Sequence, residues 1–126
     1  MLDHITFGTA DFERAIAFYD QALVPLGITR LISVSAAQSG TVAYAGYGDT
    51  RPFFWIANGQ ATRGQFHVAF ATSNRATVDA FYQAALAAGG QDNGAPGLRP
   101  HYHPDYYGAF VRDPEGHNIE AVCHAG

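Results

Sequence analysis

The feature that most restricts the fold is an internal repeat. Asp3-His4-Ile5-Thr6-Phe7 is echoed by Phe66-His67-Val68-Ala69-Phe70, with His4 and His67 63 residues apart. The same offset pairs Ala17-Phe18-Tyr19 with Ala80-Phe81-Tyr82, Ala22-Leu23 with Ala85-Leu86, and Gly27 with Gly90. Matches at one offset spread over two elements mark one supersecondary unit used twice. The chain therefore reads as a single domain over residues 1–126, with module one at 1–60 and module two at 64–126.

Each module opens with a strand of period two. Ile5 and Phe7 share one face and His4 and Thr6 the other; Val68 and Phe70 share a face opposite His67 and Ala69. A helix follows. Val78, Phe81, Tyr82, Ala85 and Leu86 form one apolar stripe, repeated by Ala15, Phe18, Tyr19, Ala22 and Leu23. Asp11 and Asn74 are placed to cap these helices and Gly27 and Gly89-Gly90 to stop them. Strands are expected at 28–36, 41–48 and 51–59 in module one, and at 106–112 and 118–124 in module two. Residues 91–105 read as a weak strand plus a loop, and Asp113-Pro114-Glu115-Gly116 as a turn. The predicted fold class is α+β: two βαβββ modules curved into a concave mixed β-sheet cup, with helices on the outer face.

The side-chain alternation has a chemical consequence. If the large apolar residues of the first strands pack under the helices, His4 and His67 point to the opposite sheet face. Near the C-terminus Ile119, Ala121 and Cys123 form the more apolar face, so Glu120 shares the histidines' side. Two imidazoles and a carboxylate with open coordination positions suit a divalent metal that also holds substrate. Iron is the best-known occupant, and manganese, nickel, cobalt and zinc also fit. Binding needs neutral histidine and ionised glutamate, so it weakens at acidic pH.

Composition narrows the partners. All seven basic residues are arginine, set against 11 acids for a net charge of −4, which argues against a nucleic-acid face. No apolar run approaches the roughly 18 residues of a membrane span, and Met1-Leu2-Asp3-His4 lacks the basic start of a leader peptide. The single Cys123 fits a reducing compartment, so a cytoplasmic location is expected. No Ser/His/Asp order, glycine-rich phosphate loop or CxxC pair is present.

With the paired modules, Asp3-His4-Ile5, Phe66-His67-Val68 and the run Asp113-Pro114-Glu115-Gly116-His117-Asn118-Ile119-Glu120, the chain resembles the vicinal oxygen chelate superfamily. That group holds glyoxalase I, bleomycin-resistance proteins, fosfomycin-resistance enzymes and extradiol dioxygenases. The resemblance implies metal ligands on the first and last strands of the modules, where His4, His67 and Glu120 stand. A fourth ligand position falls on Trp55, so the carboxylate that glyoxalase I uses there is missing. The implied activity is metal-dependent lyase, isomerase or oxygenase chemistry on a small substrate with adjacent oxygens. The rival is a metal-free protein of the bleomycin-resistance type that sequesters a drug-like molecule. Family members pair modules within a chain or between two chains. Free sheet edges and high aromatic content predict a homodimer. The family's two pairing modes leave two arrangements open: the three ligands gathered within one chain, or His4 from one subunit with His67 and Glu120 from the other.

The stretch His101-Tyr102-His103-Pro104-Asp105-Tyr106-Tyr107 offers acid/base groups or an aromatic lid. His103 and Tyr107 are the expected catalytic side chains, and His101 and Tyr106 are expected to bind substrate. Trp55, Phe53 and Tyr44 line an aromatic pocket or belong to the core. Arg51 and Arg99 bind a substrate carboxylate or pair at the surface. Cys123 is expected buried and inert, Asp113 a turn former, and His117 and His124 structural or exposed.

Overall fold

The computed structural model describes residues 1–126. Module one comprises β1 (Ile5–Thr9), α1 (Phe12–Ala22), a 3-10 turn (Val24–Leu26), β2 (Thr29–Val34), a one-turn helix α2 (Ala36–Ser39), β3 (Tyr44–Gly48) and β4 (Pro52–Asn58). Module two comprises β5 (His67–Ala71), α3 (Arg75–Ala87), the short strands β6 (Gln91–Asp92) and β7 (Gly97–Leu98), β8 (Tyr107–Arg112) and β9 (Asn118–Cys123). The predicted α+β repeat is present. Asp11 and Asn74 cap their helices by accepting from the Arg14 and Ala76 amides. Gly27 ends the 3-10 turn at φ 74°, a left-handed conformation that favours glycine. Helix α2 is an element the alternation did not announce. It is held by a capping box in which Ser35 and Gln38 satisfy each other's amides.

The sheets share one plan. In module one the order is β1-β4-β3-β2, and in module two β5-β9-β8-β6 with β7 also on β8. The first and last strands of each module run parallel and adjacent. The two sheets are not hydrogen-bonded to each other, so β1 and β5 each pair on one side only. One continuous hydrogen-bonded sheet does not form within one chain. The reason lies in the core, where a single cluster of 21 buried residues draws on both modules, including Phe18, Tyr19, Phe54 and Phe7 from the first and Phe70, Phe81 and Ile119 from the second. Helices α1 and α3 pack on each other, and α3 covers β8 and β9. Both apolar sheet faces are thus committed to one interior, and the alternating residues face outward on their separate sheets.

The turn before β9 locks the modules together. Asp113 is buried and accepts from the Glu115 and His117 amides, the Tyr19 hydroxyl at 2.6 Å and His117 Nδ1 at 3.0 Å. His117 Nε2 reaches the Thr62 carbonyl at 2.8 Å, and its ring lies edge-on to Phe7 and Phe66. Glu115 receives the Thr9 hydroxyl and, at 2.8 Å, the Ala10 amide. Burial and Asp113 together push the Tyr19 phenol well above its usual range, so it stays protonated as a donor. Asp113 is therefore more than a turn former, and His117 is structural and buried. His117→Ala should cost about 2–4 kcal/mol, from the emptied volume and the partners left unpaired. Urea unfolding checks this; a loss under about 0.5 kcal/mol, the scale of an ordinary surface change, contradicts it.

Candidate functional site

Two half-sites emerge from this arrangement. On the second sheet, β5 and β9 run parallel with His67 opposite Asn118 and Ala69 opposite Glu120. His67 and Glu120 are thus diagonal neighbours on one face, and His67 Nε2 lies 2.8 Å from Glu120 Oε1. The Glu120 side chain is only 1% exposed. A carboxylate so deep needs partners, and the Tyr106 hydroxyl donates to its second oxygen, Oε2. Burial, then the bond to Glu120, raises the Tyr106 phenol above its ordinary range. Tyr106 therefore stays a donor through the neutral range.

On the first sheet, His4 occupies the equivalent place. Thr6 pairs with Trp55 as Ala69 pairs with Glu120, so the register sets Trp55 where module two has its carboxylate. His4, Thr6, Tyr44 and Trp55 line an open cavity of about 430 Å³. The Tyr44 and Trp55 rings lie 5.8 Å apart. Gly46 lets the indole lie close over β3, because a Cβ there would fall 2.8 Å from the Trp55 ring. At the rim, His4 Nδ1 is 2.7 Å from Asp3 Oδ1, and Arg51 donates to Asp3 Oδ2 at 2.9 Å. Those two bonds, His4's first, hold the Asp3 carboxyl below the usual carboxylate range.

The structure brings together some expected site residues and separates others. His67, Glu120 and Tyr106 meet. His4 lies on the other sheet, and no group of three or more His, Cys, Asp or Glu within one chain converges to hold a metal ion. Tyr107 does not face this site. Paired with Cys123 in β8 and β9, it points to the helix side, where its hydroxyl donates to Asp79 at 2.6 Å and Arg75 stacks over its ring. His103 stands beside the Tyr106 ring. Its Nδ1 accepts the Asp105 amide, so in the neutral ring Nε2 carries the proton, 2.7 Å from His124 Nδ1. His101 is exposed and packs on Tyr102 at the rim. Arg51 is engaged by Asp3, and Arg99 reaches the Ala95 carbonyl and lies over Phe110. Phe53 lines a separate apolar groove, and Cys123 is buried. The sequence reading missed Asp3 and the Tyr106 contact with Glu120; the contrast of Asp3-His4 with Phe66-His67 across the repeat was the available signal for the first.

The chain belongs to the Glyoxalase/Bleomycin resistance protein/Dioxygenase superfamily, whose family model matches residues 1–121. A glyoxalase/bleomycin resistance protein from Albidiferax ferrireducens is similar at 30% identity and a TM-score of 0.77, with 96% of each chain covered. A fosfomycin resistance protein from Listeria monocytogenes, solved with Mn(II) and a dihydroxypropylphosphonic acid, shares the fold at 17% identity and a TM-score of 0.71, over 100% of this chain and 90% of that one. A glyoxalase I mutant from Zea mays does so at 21% identity and a TM-score of 0.70, over 99% of this chain and 45% of that one. No match was found among curated protein sequences.

Trp55 is the single tryptophan and reports on its cavity. Gly46→Ala should displace the indole, shift its fluorescence emission and cost about 1–3 kcal/mol by overpacking. Unchanged emission and stability contradict the placement.

Proposed function

We propose that this protein is a metal-dependent enzyme that chelates the adjacent oxygens of a small substrate, with the metal held between two copies of the chain. The observation that carries the reading is the pair His67 Nε2 and Glu120 Oε1, 2.8 Å apart on one face of the second sheet. His4 is the repeat-equivalent imidazole, and its Nδ1 is taken by Asp3, leaving Nε2 for a metal. These donors fit a divalent ion such as Fe, Mn, Ni, Co or Zn. One chain supplies two of the three ligands on a face. His4 of a second copy supplies the third.

Two features support a homodimer. Strands β1 and β5 each retain an unpaired edge, which proteins cover or pair. Between them runs an apolar groove of about 270 Å³, lined by Leu2, Ile5, Phe53, Val68 and Phe70 among others. A metal in this site supplies Lewis-acid polarisation of the substrate oxygens. The chain's own residues do the rest. Tyr106 holds Glu120 Oε2 and so turns Oε1 outward. Trp55 and Tyr44 offer an aromatic wall to a planar substrate. His103 holds a proton at Nε2, 2.7 Å from His124 Nδ1, beside the Tyr106 ring. The buried Cys123 is consistent with a cytoplasmic location. No helix is long and apolar enough to cross a membrane. The aromatic cavity also supports a second reading, metal-free sequestration of an aromatic compound.

Titration with Mn(II) separates the two. Ala at His67 or Glu120 should each weaken binding at least about tenfold. Wild-type affinity in both variants, with aromatic ligands bound equally well without metal, favours sequestration. On an identified substrate, His103→Ala should lower turnover by about 10²-fold with metal content preserved, the scale for losing a general acid or base. Tyr107→Phe serves as the control, with turnover close to wild type; the reverse pattern contradicts the assignment.

A further inference from the structure

The two half-sites differ in one respect that the fold does not require. The residue before His67 is Phe66, whose ring packs on Phe7 and His117. The residue before His4 is Asp3, which makes no apolar contact of that kind. Its carboxylate is held at both oxygens, by His4 Nδ1 on Oδ1 at 2.7 Å and by Arg51 on Oδ2 at 2.9 Å. Arg51 directly precedes β4, the strand that carries Trp55, so the carboxylate ties the entry of β1 to the entry of β4. An ionised carboxylate only accepts, so the neutral His4 ring must present N–H at Nδ1 and a lone pair at Nε2. Free imidazole in water prefers neither role strongly enough to exclude the other; a fixed acceptor decides it.

We propose that Asp3 is a positioning residue, clamped by Arg51, that fixes His4 in the Nδ1–H tautomer and aims its Nε2 lone pair outward as a donor for a metal ion. This rests on the reading of His4 as a ligand. Such carboxylate partners orient metal-binding imidazoles and raise their donor strength. His67 reaches Glu120 through Nε2 and has a phenylalanine in place of the carboxylate, so the two imidazoles are unequal donors. The substitution Asp3→Ala removes the acceptor, and Asp3→Glu keeps one on a longer stem.

Long-range ¹H–¹⁵N correlation on the metal-free protein reads the tautomer, and titration with Zn(II) alone reads its consequence. Wild type should show His4 protonated at Nδ1. D3A should lose that signature and bind Zn(II) about 10- to 100-fold more weakly, with D3E recovering part of both. A His4 protonated at Nε2 in wild type, or an Nδ1–H tautomer that survives undiminished in D3A, overturns the proposal. Wild-type Zn(II) affinity in D3A together with a loss in H4A overturns the role of Asp3 and keeps His4 as a ligand. Wild-type affinity in H4A removes the ligand reading, and the proposal with it.

Discussion

One interior serves both modules, and every polar group of consequence is placed by that fact. Strands alternate their side chains, so a sheet that commits one face to a core fixes what the other face presents. Phe7, Phe54, Phe70 and Ile119 enter the shared cluster. His4, Trp55, His67 and Glu120 must then stand on the outward faces. The same interior keeps the faces apart. The two sheets give their apolar faces to this one cluster and are not hydrogen-bonded to each other.

The turn from Asp113 to His117 makes this arrangement specific. A buried carboxylate with four donors and a buried imidazole bonded at both ring nitrogens are costly unless every partner is in place. Their partners come from α1, from the segment before β5 and from the turn itself. Relative movement of the modules would break these bonds. The orientation that separates His4 from His67 is therefore built in by the clasp and does not depend on loose apolar packing alone.

The repeat at an offset of 63 residues was enough to read two βαβββ units, their capped helices and the face shared by His67 and Glu120. Alternation within a strand is a local property, and it survives in the structure. Register between strands is not local. The pairing of Tyr107 with Cys123 turns Tyr107 toward α3 and Tyr106 toward Glu120, and nothing in the run His101 to Tyr107 states that parity. The helix α2 was missed because one turn has no periodicity to read, although Ser35 and Gln38 carried its capping signal. How the modules pack on each other was likewise invisible, since the same alternating strands fit a cup within one chain or between two.

In the proposed enzyme a complete site draws His4 from one copy and His67 with Glu120 from another. Mixing H4A with E120A, followed by subunit exchange, tests this sharing. Neither variant alone holds all three ligands. Each mixed dimer assembled between chains contains one intact set, so an equimolar mixture should recover roughly a quarter of the wild-type capacity for tightly bound Mn(II). If the mixture binds no more than either variant alone while exchange is shown to occur, the site is not shared between copies.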